Sequence, residues 1–302
     1  MIHQPVLLNE VREFFSGISG VFIDATLGLG GHSYFILRDN PNVKCIGIDR
    51  DRISLDFAKK RLSCFSDRFI ALNGSFSAEI KNILASTSKV NGILADIGVS
   101  SPQLDNLDRG FSFESDNLDM RMSLDSTLNA KIVINSYPKN ELNRIFRDFG
   151  EISNYEAITK LILDYRKNKK IESAKELCQI LESKIKHRGL INPATLVFQA
   201  IRIEVNDELN ELKKFLNNIE KLRGTKVAII SFHSLEDKII KNTFRNWARD
   251  CICSSNVMKC ECGGGNAKGK ILTKKPIIPT DLEISQNRRS RSAKMRGFIF
   301  NE

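Results

Sequence analysis

No stretch of this 302-residue sequence approaches the roughly 18 consecutive apolar residues that cross a bilayer, which argues against a membrane span. Its opening, MIHQPVLLNEVREFF, lacks a basic segment followed by an apolar run, so no secretion leader is read and the chain is expected in the cytoplasm. The seven cysteines are odd in number and suit reduced thiols better than a disulfide framework. No internal repeat of solenoid period is present. What is there is an ordinary globular composition, 41% hydrophobic and 27% charged, with a net charge of +10. The excess gathers at the end: residues 263–302 hold nine Lys/Arg against three Asp/Glu. An anionic partner, most economically nucleic acid, is expected; a solvated basic surface is the plainer alternative.

Between residues 21 and 98 short apolar runs alternate with helical patterns, the signature of βαβ units building a parallel sheet. The strands read as Val21 to Asp24, Val43 to Asp49, Phe69 to Leu72 and Gly92 to Ile97. A fifth run, KVAIISF at 226–232, arrives only after a long stretch of helical spacing. Within that stretch PKNELNRIFRDFG opens with Pro138 at a first helical position and closes on Gly150, and two helical patterns follow it. A last long helix, from Asn192-Pro193 through NELKKFL, returns the chain to the sheet. A helical domain inserted after the fourth strand is therefore expected. Residues 251–290 read as an irregular loop before a final strand in AKMRGFIF.

The stretch FIDATLGLGGHSYFIL, residues 22–37, is a strand, a glycine loop and a helix start. In an open α/β sheet this turn is the default ligand site. Gly28 and Gly30 match the first two positions of a dinucleotide G-x-G-x-x-G, but Ser33 stands where the third small residue belongs, and no G-K-[ST] follows to grip a phosphate. Asp49, about 20 residues on, suits a ribose diol in either kind of cofactor. Asp24, at the strand tip, disfavours a pyrophosphate and favours a cation. S-adenosylmethionine carries an ammonium and a sulfonium and no phosphate. The run D-x-T-x-G-x-G-G, Asp24 through Gly31, resembles the first motif of methyltransferases that use it, with Thr26 where many have a glycine.

The fourth strand ends in Asp96, and Asp96-Ile97-Gly98-Val99 falls where amino-group methyltransferases place [N/D]-P-P-[aromatic]. Only the acid is kept. An exocyclic base amine is a poor nucleophile because its lone pair is delocalised into the ring. A side-chain oxygen and a backbone carbonyl that accept its N–H groups favour the rehybridised amine and hold it in line. Capping of the following turn is the bland reading of Asp96. With Val99 in the aromatic position, stacking on a base would come from elsewhere, Phe111 and Phe113 of RGFSF being nearby candidates.

HQPVLLNEV, DATLGLGGHS, GIDRD, DIGVSSPQLD, RGFSF, LDMRM, FQAIRIEVNDEL, SFHSLEDKIIK and NRRSRSAKMR occur in this order along nearly the whole chain. Together they resemble the bacterial small-subunit ribosomal RNA cytosine-N4 methyltransferases. The resemblance implies an α/β, Rossmann-like core at residues 1–103 and 206–302, with an inserted α-helical domain at 104–205 that docks RNA. It implies transfer of a methyl group from S-adenosylmethionine to N4 of a cytidine in the decoding centre (P site) of 16S ribosomal RNA in the small subunit. By matching position, cofactor contacts fall to Gly30, Gly31, His32, Asp49, Phe76, Asp96 and Gln103, with Asp96 also the catalytic residue; no membrane or obligate protein partner is implied. The family's H-P-A-T-R is here Asn192-Pro193-Ala194-Thr195-Leu196, without the His and Arg, and Ala25 replaces a common glycine.

Two other classes compete with this reading: an NAD-dependent oxidoreductase, opposed by Asp24 and Ser33, and a non-catalytic RNA-binding assembly factor. His233 of SFHSLED follows the fifth strand and is either a site residue or a structural hydrogen bonder. Arg288, Arg289 and Arg291 read as phosphate contacts or as a solvated turn. No metal is assigned to the site. Cys251, Cys253, Cys260 and Cys262 supply enough thiols for an all-cysteine zinc centre, although their C-x-C spacing differs from the usual C-x2-C.

Overall fold

The structure is a computed structural model in which residues 4–87, 89–184, 193–254 and 260–302 are described. It divides into two compact units, one of residues 1–98 and 211–302 and the other of residues 99–210. The limits expected from the sequence, 103 and 206, lie a few residues inside the second unit.

The first unit is built on seven strands: β1 (Gly20–Asp24), β2 (Val43–Asp49), β3 (Phe69–Asn73), β4 (Gly92–Asp96), β5 (Lys226–Ser231), β6 (Gly269–Ile271) and β7 (Lys294–Phe300). Their spatial order is β3-β2-β1-β4-β5-β7-β6. The first five are parallel, β7 runs antiparallel to β5, and β6 antiparallel to β7. Side-chain alternation feeds two cores. Ile23, Ile93, Ala95, Val227, Ile229 and Phe298 point into one, with helix residues such as Ile80, Phe215, Ile240 and Trp247. Phe22, Leu94, Ala228, Ile230 and Met295 point into the other, with Val11, Phe15, Leu37 and Leu62. A sheet covered on both faces explains why its strands read as apolar runs rather than as half-polar ones. β1 lies between β2 and β4, so the chain leaves it in opposite directions on its two sides. The carboxyl ends of β1 and β4 therefore flank a topological switch point, where ligands of such sheets bind.

The second unit has its own core, formed by residues such as Ile134, Phe146, Ile158, Leu177 and Ile201 from successive helices. The helix expected to open with Pro138 spans Lys139–Asp148, with Pro138 one place earlier, at the cap. Asn192, read as the start of the last helix, lies outside the described residues. That helix is not continuous: Pro193–Asn206 and Glu208–Ile219 are separated at Asp207, which adopts a left-handed φ of 51°. Asn206 holds the break, its Oδ1 accepting from Met122 N–H at 2.7 Å and its Nδ2 donating to the Met120 carbonyl at 2.8 Å.

The described residues of 251–290 also contain regular structure that the sequence does not suggest. They contain β6 and a short helix, Asp281–Gln286, whose cap Thr280 accepts from Glu283 N–H. A three-residue edge strand is too short to display alternation. Thr280-x-x-Glu283, by contrast, is a capping pattern visible in the sequence itself. Glu283 Oε1 then accepts from Leu7 N–H at 2.8 Å, joining this C-terminal helix to the start of the chain.

Candidate active site

The glycine loop is held by the three acids that end the neighbouring strands. Asp24, at the end of β1, is 1% exposed. Its Oδ2 accepts from Ser33 Oγ at 2.6 Å and its Oδ1 from Thr26 N–H at 3.4 Å. Burial raises its pKa, against the opposing hydrogen bond from Ser33 and the nearby His32. Ser33 thus has a role beyond the absence of a third glycine: it satisfies a buried carboxyl group under the loop. Asp49, at the end of β2, accepts from Gly28 N–H at 2.7 Å and from Asp51 N–H at 2.8 Å. Burial pushes its pKa up to about 6, against those two hydrogen bonds. On β4, Asp96 N–H donates to Thr26 Oγ1 at 2.6 Å, so the threonine that replaces a glycine ties the loop across the switch point.

The glycines have separate physical causes. Gly30 sits at φ 72° and precedes the helix Gly31–Asp39, and a Cβ there would press within 3.0 Å of Leu62. A Cβ on Gly31 would collide with the Pro5 ring, which explains the coexistence of QPV and GG in one chain. Both glycines answer to packing on the protein side. Gly28, also at positive φ, would meet only the Thr26 carbonyl, at 4.0 Å, in the Cβ direction. No side chain among the described residues caps the Gly31–Asp39 helix, leaving its first N–H groups as donors at the sheet edge.

His32 Nε2 lies 3.6 Å from Asp96 Oδ2, with side-chain exposures of 7% and 22%. That distance is too long for a hydrogen bond. Neither imidazole nitrogen nor Asp96 Oδ1 has a hydrogen-bond partner among the described residues, although all three atoms are buried. Buried polar atoms are normally paired, so orphans clustered at a switch point mark a place where a ligand supplies the partners.

The remaining expected residues divide. Phe76 begins the helix that follows β3 and is therefore on the same edge, but its ring belongs to the core and packs edge to face on Phe215 at 5.2 Å. Gln103 is in the second unit, where its Oε1 accepts from Ser100 N–H at 3.1 Å and completes a helix cap. Phe111 is buried in the second unit's core, and Phe113 packs edge to face on Phe198 at 4.6 Å, so both are engaged within that unit. His233 caps the helix Ser234–Trp247, its Nε2 3.1 Å from Glu236 Oε1, while Glu236 Oε2 accepts from Phe232 N–H. Its ring nitrogens, like those of His32, are buried without a hydrogen-bond partner among the described residues. Arg288, Arg289 and Arg291 are exposed on one short turn.

The profile of the MraW methylase family matches residues 1–300. The chain belongs to that family. Its cofactor is accordingly S-adenosylmethionine, and the dinucleotide alternative falls away. The methylase is 52% identical over 301 residues to ribosomal RNA small subunit methyltransferase H of Helicobacter pylori, covering 99% of this chain and 97% of that protein. It is 49% identical over 302 residues to the protein of the same name from a Nitratiruptor species, covering 99% of both. No helix among the described residues is long and apolar enough to cross a membrane.

Proposed function

We propose that this methylase acts in the cytoplasm on 16S ribosomal RNA of the small subunit, methylating N4 of a cytidine in the decoding centre. The observation that carries the reading is the His32–Asp96 pair at the switch point, with three buried and unpartnered polar atoms. The names of the relatives supply the class of substrate. The exposed arginines at 288, 289 and 291 are of the right charge for its phosphates.

The residues at the edge fit S-adenosylmethionine, which when bound presents an electrophilic methyl group on a sulfonium. Asp49 uses two of the roughly four lone-pair positions of a carboxylate on Gly28 and Asp51, leaving acceptors for ribose hydroxyls. The free N–H groups of the Gly31–Asp39 helix suit a carboxylate, and the backbone at Gly28 offers close approach. Asp24 touches no ligand in this reading. Its oxygens are taken by Ser33 and Thr26, so it acts on a bound cation through its field.

Asp96 then orients the acceptor. Its Oδ1 takes an N–H of the cytosine amine, turning the nitrogen lone pair toward the methyl group. His32, drawn from 3.6 Å onto Oδ2, holds the carboxylate in that rotamer. Once the methyl group is on N4, the surplus amine proton passes to Asp96 Oδ1 and on to solvent, so no strong base is needed. Asp96→Ala is expected to lower kcat at saturating cofactor by about a hundredfold or more, the scale of losing one aimed polar group, with melting temperature unchanged. Undiminished kcat in that folded variant would contradict the role.

A further inference from the structure

Cys251, Cys253, Cys260 and Cys262 come together although the methyl-transfer site makes no use of them. One Sγ from each lies within 4.8 Å of all the others. The separations are 3.6 Å for Cys251–Cys260, 3.6 Å for Cys260–Cys262 and 3.7 Å for Cys251–Cys262. A disulfide bond is about 2.05 Å long, so these are separate sulfurs. A tetrahedron with zinc–sulfur bonds of about 2.3 Å has edges of about 3.8 Å. The triangle of Cys251, Cys260 and Cys262 already matches such edges, with Cys253 Sγ within 4.8 Å of each.

Backbone amides also aim at the sulfurs. Glu261 and Cys262 N–H both donate to Cys253 Sγ at 3.2 Å, and Ile252 N–H donates to Cys262 Sγ at 3.4 Å. Asn266 Nδ2 adds a further donor to Cys262 Sγ at 3.4 Å. Donors around sulfur stabilise thiolate, the form a metal needs, and act as the outer shell of such a site.

The surrounding chain has no apolar core among its described residues. Among the described residues of 249–268 none is buried, and Ile252 is 61% exposed. The segment is nevertheless closed at its base, where Gly265 N–H donates to Asp250 Oδ1 at 2.8 Å and Lys268 N–H to the Trp247 carbonyl. A segment without a core is the kind that a metal staples.

We propose that these four cysteines bind one structural zinc ion, closed to water and substrate, which pins the segment between the helix Ser234–Trp247 and β6. Zinc entry displaces the thiol protons to solvent and changes no oxidation state. The test uses the full chain purified under reducing conditions without chelator, with metal measured by mass spectrometry and after titration of thiols with a mercurial. About one zinc per chain, released by the mercurial, is expected for a closed tetrathiolate site. Cys251→Ser and Cys260→Ser each remove it, while Cys64→Ser, at an exposed cysteine outside the cluster, retains it. If the serine variants fail to fold, cobalt(II) added to the reduced wild-type chain must give the visible spectrum of tetrahedral thiolate coordination. Zinc below about a tenth of an equivalent after incubation with zinc salt, iron in its place, or full retention by the folded serine variants would overturn the proposal.

Discussion

Asp49 is the residue whose charge state the protein disturbs most usefully. Enclosure raises its pKa to about 6, so it titrates within reach of physiological pH. Two opposite pH effects follow. Between about pH 4, the ordinary value for an aspartate, and about pH 6, the folded chain holds this proton more tightly than the unfolded chain. The contribution of Asp49 to stability without ligand is therefore full at the acid end and lost as pH rises. In the proposed site Asp49 takes the ribose hydroxyls as a carboxylate, so affinity for S-adenosylmethionine is expected to rise as pH increases through about 6 and to level off above it. Calorimetric titration of Asp49→Asn should show binding weakened by about tenfold to a hundredfold at neutral pH, the value of a charged hydrogen bond, with this pH dependence gone. An unchanged pH profile in the variant would assign the titration to another group. At this scale the sequence was informative where chemistry sits at strand ends: Asp24, Asp49 and Asp96 follow from apolar runs that stop in an acid. It was silent on Ser33, because a hydrogen bond to Asp24 depends on how a helix start is folded back over a strand. Phe111 misled for the same reason, since an aromatic residue near a loop looks the same whether it faces a base or a core.

Among the elements, the β1 loop and the helix that follows it are where backbone conformation carries the greatest constraint. Gly30 must reach φ 72° with Leu62 behind it. Gly30→Ala adds left-handed strain and a contact near 3.0 Å with Leu62, and should cost about 1–3 kcal/mol. Chemical denaturation of the cofactor-free chain measures that cost, which is present without any ligand because the constraint is internal. A loss seen only in cofactor affinity would place the constraint on the ligand side instead. The parallel strands and their helices were legible because both faces of the sheet are buried, which leaves long apolar runs. The break at Asp207 was not. NPATLVFQAIRIEVNDELNELKKFL keeps helical spacing straight through it, and the interruption depends on Asn206 bonding to Met120 and Met122, more than eighty residues earlier. β6 is placed by pairing with β7, a tertiary cause with no local pattern.

For the whole molecule, both compact units and the switch point are accounted for by one interrupted sheet, with five parallel strands whose fifth arrives after the helical unit. The edge of that sheet gathers the acids, the glycine loop and the unpartnered His32–Asp96 pair into one place. The positive charge toward the C-terminus, displayed at Arg288, Arg289 and Arg291, has the sign that long-range attraction of RNA needs, as the proposed function requires. In the proposed function these features act together: the edge binds S-adenosylmethionine, and Asp96 presents a cytosine amine to it. Small ribosomal subunits lacking the modification, incubated with the protein and methyl-labelled S-adenosylmethionine and then digested to nucleosides, test that claim most directly. The account predicts label in N4-methylcytidine from 16S ribosomal RNA; label in a different nucleoside, or none in RNA while the folded protein binds the cofactor, would contradict it.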